Sequence, residues 1–262
     1  MSFSRLVLLA LVFTSTEILS EFIVNVKTQA GNVIKQSIKE DVADSSIMLE
    51  YKDWDLTKVT QVVDFKSNLN LFQIIVYGEM DLNQPPFQVL CFLSYFKTAE
   101  FIEPGAVSKL RQKKQETIRT SEDRLADIVK TANLSVRFST AHLLSNHIQR
   151  LCSRAGDFIF TTNEDLLKAA KDSGKNYETM VSSTKPLNTI RLPVCAHTSH
   201  SSVPCACGYR FAIDWYPCSL KYCKDVVDNK PYKCGIKTCG LSRQYQFPVP
   251  KKSMCWFDNT NM

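Results

Sequence analysis

Eight of the ten cysteines in this 262-residue chain fall between Cys195 and Cys255. They are Cys195, Cys205, Cys207, Cys218, Cys223, Cys234, Cys239 and Cys255. So many sulfurs in so short a stretch serve either as a disulfide framework or as metal ligands. Cys218 to Cys223 and Cys234 to Cys239 each enclose four residues, and Cys205-Ala206-Cys207 lies near His197 and His200. Spacing alone therefore permits zinc. The compartment decides between the two.

Residues Met1 to Ser20 read as a secretory leader. Arg5 supplies the positive start, Leu6 to Phe13 the apolar run, and the small polar residues up to Ser20 the cleavage region, with cutting expected after Ser20. A spanning helix needs roughly 20 mostly apolar residues, and this run ends sooner, with Glu17 and Glu21 following. The mature chain is expected outside the cell and not inserted in a membrane. Thiols in the oxidising secretory compartment pair and stay paired. Bridges are therefore expected, with no metal and no cofactor. The pairing itself is unreadable, since eight cysteines allow about a hundred arrangements. A further mark of export is Asn133-Leu134-Ser135, a glycosylation sequon.

At 44% hydrophobic and 22% charged the chain resembles an ordinary globular protein, and its net charge is +6. About 240 mature residues suit one large domain or two smaller ones. The densest basic run, Lys109 to Lys114, is expected at a helix end, where cations complement the helix dipole. An extracellular protein is the expected partner, with no role in binding nucleic acid.

Residues 21–175 read as an α+β domain, 176–194 as a polar linker and 195–262 as a small disulfide-rich module with short strands at best. Phe22 to Thr28 and Val33 to Lys39 flank the turn dipeptide Gly31-Asn32 and predict a hairpin. Ile47 to Tyr51 and Val59 to Phe65 follow as strands. Leu69 to Tyr77 and Phe87 to Phe96 are apolar at both odd and even positions, which predicts central strands covered on both faces. Helices are expected from Pro104 with Val107 and Leu110 inward, over Ser121 to Ala132 with Leu125, Ile128 and Val129 on one stripe, and over Thr140 to Ala155, stopped by Gly156. A last helix follows the capping run Thr162-Asn163-Glu164-Asp165 and ends near Gly174.

Cys91 and Cys152 stand apart from the cluster. Cys91 shares a strand face with Val89 and Leu93, and Cys152 lies on the apolar stripe of its helix with Ile148 and Leu151. Packing that helix on that sheet brings a bridge within reach, and two buried free thiols are the alternative.

Several stretches are distinctive: Asp64-Phe65-Lys66, Phe87 to Phe92, Lys109 to Lys113, Trp215 to Cys223 and Pro231 to Lys237. Through them the chain resembles the out at first family of secreted proteins over nearly its whole mature length. The resemblance implies an extracellular protein associated with development, without an assigned molecular activity. The N-terminal half of that family is considered similar to the BRICHOS domain, a sheet between helices sharing one aspartate and two distant cysteines. Asp64, Cys91 and Cys152 occupy the matching positions, so the resemblance favours the Cys91–Cys152 bridge. It also implies, as an alternative function, chaperone-like binding of β-prone segments. The sequence departs from that plan, since a cysteine-rich module stands where a β-prone client would follow.

No constellation for catalysis is present. The sequence has no Gly-x-Ser-x-Gly elbow, His-Glu-x-x-His zinc helix, phosphate loop or dinucleotide turn. His142 and His147 are five helical steps apart, about 140° around the axis, too far to share a metal. Asp64 is expected to be a hydrogen-bonded structural acid, with pH sensing as the alternative. For binding, Trp215, Tyr216, Tyr232 and Trp256 are the candidate anchors, because aromatic rings bury much area at low entropic cost.

Overall fold

The computed structural model describes residues 21–110, 114, 116–188, 192–225 and 230–256. The expected leader, and Arg111 to Lys113 of the basic run, lie outside these residues. The first six strands are β1 (Glu21–Lys27), β2 (Val33–Asp41), β3 (Ser46–Lys52), β4 (Lys58–Asp64), β5 (Leu69–Tyr77) and β6 (Phe87–Tyr95), an antiparallel meander. They fall where the sequence predicts them. Gly31 takes φ +89° in the first turn, a conformation that suits glycine.

The chain continues through α1 (Pro104–Val107), β7 (Ile118–Arg119), β8 (Asp123–Arg124), β9 (Ile128–Thr131) and β10 (Leu134–Val136). Next come α2 (Asn146–Leu151), β11 (Ile159–Thr161), α3 (Asn163–Ser173), α4 (Tyr177–Ser182) and β12 (Thr184–Pro186). The last two strands, β13 (Cys205–Lys224) and β14 (Pro231–Val249), form one long hairpin. The ten-stranded sheet runs β12-β10-β11-β6-β5-β4-β3-β2-β1-β7, and β13, β14, β8 and β9 make a second sheet.

The period of two along β5 and β6 divides the core. Phe72, Ile74, Leu90 and Phe92 face the β13–β14 hairpin. Leu69, Leu71, Val89, Cys91 and Leu93 face the helical side, where Ile148, Leu151, Leu166, Ala169 and Met180 cover them. Both faces of the central strands are thus buried, the reason these strands read as apolar at every position.

Several expectations need correction. Residues 121–132 are extended and not helical. β14 offers a long row of backbone groups, and this segment pairs with it in parallel, Ile128 opposite Arg243 and Thr131 opposite Gln246. A short isolated helix gains little in water, whereas these amides gain partners on the strand. Gly240 permits the approach of β8, since a Cβ there would lie 3.1 Å from Ser121 Oγ and 3.1 Å from Asp214 O. The intended stripe is correspondingly outside: Leu125, Ile128 and Val129 are exposed. The segment 176–194 is more than a linker, because it holds α4 with buried Met180 and places β12 on the sheet beside β10. Finally, the cysteine-rich part has strands of 20 and 19 residues, where short ones were expected. Register shifts near Ile213, Pro217 and Lys221 accommodate the irregular sequence.

The expected helix over Thr140 to Ala155 is broken in two, a 3₁₀ segment (Phe138–Leu143) and then α2. Ser145 caps α2 by accepting from His147 N. Its hydroxyl also donates to Asp64 Oδ2 at 2.6 Å. Asp64 is buried and further accepts from Lys66 N at 2.9 Å, Ser67 N at 3.1 Å and the Ser67 hydroxyl. One carboxylate therefore closes the β4–β5 turn and fastens α2 to it. The helix α3 agrees with its caps: Thr162 accepts from Asp165 N, and Gly174 ends it at φ +71°.

The structure joins Cys91 on β6 to Cys152 at the end of α2, with the Cα atoms 6.1 Å apart and both residues fully buried. A loop of this length constrains the unfolded chain by about 4 kcal/mol on the chain-entropy estimate. The double substitution Cys91→Ala/Cys152→Ala is expected to lower unfolding free energy by about that amount in urea titration, and an unchanged midpoint would count against it. Asp64→Ala strands four donors and should cost about 3 kcal/mol or more. Asp64→Asn keeps an oxygen for the two amides, and both serine hydroxyls can turn to accept, so its loss should be about 1 kcal/mol. Equal losses for the two variants would contradict the structural role.

Candidate functional site

All ten cysteines are paired. Besides Cys91–Cys152, the bridges are Cys195–Cys205, Cys207–Cys255, Cys218–Cys239 and Cys223–Cys234. Two of them brace the hairpin across its strands, Cys218–Cys239 and Cys223–Cys234. The other two tie the flanking segments back to the start of β13.

The Cys207–Cys255 bridge has a consequence for the surface. It carries the segment after β14 to the start of β6, where Met254 O accepts from Gln88 Nε2 at 2.9 Å. Met254 and Trp256 thereby become one wall of a cleft of about 670 Å³. The opposite wall comes from the loop between α2 and β11, with Arg154 and Phe158. The floor comes from Phe87 and Val89 on β6, and the rim from Lys185, Pro186 and Leu187. Arg154 lies over the Phe87 ring, 4.9 Å from its centroid, a cation–π arrangement that holds the ring in place. Phe87 is 36% exposed. Apolar rings fixed by a bridge and a cation, with a few polar groups at the rim, match the size and lining that small-molecule and side-chain pockets commonly have.

The four anchors named from sequence divide unequally. Trp256 lines the cleft, half-buried. Tyr232 is at the hairpin tip, 51% exposed. Trp215 and Tyr216 are not surface anchors, because both are buried. Trp215 packs on Phe22 at 6.3 Å and Tyr216 on Phe101 at 5.1 Å. The register shift between Ile213 and Tyr216 turns both rings into the core. Residue type alone does not mark Phe87, Arg154 and Met254 as a site: Phe87 and Arg154 meet where the end of α2 is joined to β6, and Met254 is brought beside them by the Cys207–Cys255 pairing.

Asn133, the sequon residue, is exposed between β9 and β10, and its Oδ1 accepts from Asn163 N at 2.9 Å. Beside Asp64, the buried His147 places Nε2 3.2 Å from Asp44 Oδ2 and Nδ1 3.4 Å from Arg150. The Lys66 ammonium bonded to Asp44 holds that carboxyl below its usual value. This network links the β2–β3 turn, the β4–β5 turn and α2, a tertiary fastening. No helix among the described residues is long and apolar enough to cross a membrane.

A family model described as "Out at first" matches residues 20–169, and one described as "Out at first, C-terminal" matches residues 194–259. The Out at first protein of Drosophila melanogaster is 32% identical over 252 residues, covering 91% of this chain and 52% of that protein. The Out at first protein of Drosophila virilis is 32% identical over 251 residues, covering 91% of this chain and 82% of that protein. The chain thus spans about half the length of the Drosophila melanogaster relative. No solved structure matches it. With both models matched and one relative covered over most of its length, the chain belongs to the Out at first family.

Proposed function

We propose that this chain is a secreted, glycosylated, non-enzymatic binding protein that modulates extracellular signalling in development by capturing a protein partner. The observation that carries the reading is the apolar cleft of Phe87, Met254 and Trp256. Its walls are held by a disulfide and by the Arg154 guanidinium, so little ordering is required on binding. Five bridges in one chain favour an oxidising compartment.

The alternative, chaperone-like capture of β-prone segments, draws less support. Among the described residues the hairpin covers one face of the ten-stranded sheet and helices cover the other over β4 to β6, while on β1 and β2 that second face is open, with Ile23 and Val33 exposed. The sheet's edge strands are β12, three residues ending in Pro186, and β7, two residues. Short edges with proline are poor templates for an added strand.

The test is saturable binding of the purified, tagged chain to cell-surface or matrix proteins, measured with heparin in excess to remove ionic adhesion. Phe87→Ala with Trp256→Ala is expected to weaken binding at least about tenfold, as loss of central aromatic anchors does. Thermal unfolding should stay near that of the parent. Saturable binding that the double variant leaves unchanged would overturn the assignment to this cleft, and absence of any saturable binding would overturn the function.

A further inference from the structure

The described end of the β13–β14 hairpin is basic and aromatic. Residues 219–237 carry Lys221, Lys224, Lys230, Lys233 and Lys237 against Asp225 and Asp228. Cys223–Cys234 ties the two strands together there. Tyr222 stands opposite Lys233 in the ladder, and Lys224 lies two residues further along the same strand face. That face continues into a groove of about 1050 Å³ between the tip and α1. Phe101, Ile102, Leu220 and Ile236 give it an apolar lining, and Lys109 enters from the α1 side.

Five of these cations fall into two sets. Lys221 and Lys237 are engaged at 2.5 Å by Glu122 and Asp123, which hold the hairpin to the segment before β8 and to β8 itself. Lys109, Lys224 and Lys233 have no acidic partner among the described residues and are exposed. Tyr222, between them, is 62% exposed. Against these stands a single carboxylate on the groove, Glu103.

We propose that this groove binds a linear sulfated polysaccharide, with Lys109, Lys224 and Lys233 pairing with sulfates and Tyr222 lying against a sugar ring. Lysine ammoniums are mobile point charges, which suits sulfates at varied positions; planar bidentate recognition of a phosphate would favour arginine. An open groove fits a chain that runs past it. The tyrosine ring and the apolar lining offer the C–H faces of sugar rings a surface that a purely ionic patch lacks. The inference rests on the extracellular reading above, since that is where such polymers are met, but it uses a surface separate from the Phe87–Trp256 cleft.

The experiment measures binding of the full purified chain to heparin over a range of NaCl concentrations. The parent is expected to bind at 0.15 M NaCl, and fully desulfated heparin to bind negligibly. Lys109→Ala/Lys224→Ala/Lys233→Ala should weaken binding at least tenfold and reduce the slope of log Kd against log[NaCl] by about 2 to 3, as loss of that many counterion-releasing contacts requires. Tyr222→Ala should weaken binding several-fold with the slope unchanged, since its contact is not ionic. Lys27→Ala/Lys35→Ala/Lys171→Ala, an equal loss of charge elsewhere, should change affinity less than threefold. Equal losses from the two triple variants, or no heparin binding by the parent at 0.15 M NaCl, would overturn the proposal. Because the probe is heparin alone, this outcome is independent of whether the apolar cleft takes a protein partner.

Discussion

A layer of aromatic rings joins the β13–β14 hairpin to the ten-stranded sheet. Phe92 of β6 stacks on Tyr245 of β14 with centroids 4.2 Å apart and planes within 9°. Phe160 stacks on Phe247 at 4.8 Å, and Phe72 meets Phe211 at 5.0 Å. Pairs of this kind contribute about 0.5–1.5 kcal/mol each beyond the area they bury. Polar contacts fix the register of the two layers: Gln36 Nε2 donates to Trp215 O at 2.7 Å, Tyr51 Oη to Ala212 O at 2.5 Å and Tyr245 Oη to Ser94 Oγ at 3.3 Å. The part of the chain richest in cysteine is therefore not held by sulfur alone. It shares one apolar core with the meander, and the core extends from Val24 to Val249.

The bridges do something different from the core. Cys91–Cys152 lies on the helical side and locks α2 to β6. Cys218–Cys239 and Cys223–Cys234 tie the two strands of the hairpin together where burial fades. Cys207–Cys255 brings the segment after β14 back to the start of β6 and completes the cleft there. Both surfaces proposed for binding thus occur where a bridge supplements packing. Small elements that cannot bury enough apolar area depend on such covalent support.

The meander was legible because its signals are local. Alternation, turn residues and doubly apolar strands identify β1 to β6, and Thr162 with Gly174 mark both ends of α3. Residues 121–132 were misread because their spacing fits a helical stripe, while the partner that makes them extended is more than a hundred residues away on β14. The hairpin strands were hidden because cysteine, proline and lysine interrupt the alternation, and three register shifts change which face a residue takes. The same shifts bury Trp215 and Tyr216, which by composition alone are as suited to an interface as Tyr232 and Trp256. Trp256 was a candidate from residue type, but its cleft depends on a cysteine pairing that sequence spacing leaves open.

The shared core places Tyr51, Tyr209, Tyr216 and Tyr245 between sheet and hairpin, and burial pushes all four phenols up, Tyr216 to about 12. The folded chain holds protons there that the unfolded chain releases above about pH 10, so stability should fall as pH climbs from 10 through the folded values. Spectrophotometric titration of the nine tyrosines tests this packing directly. With the fold intact by circular dichroism at pH 11, no more than five of the nine should ionise, the remaining four doing so only as the structure is lost. Reversible ionisation of seven or more phenols at that pH, without unfolding, would show that the hairpin does not cover the sheet.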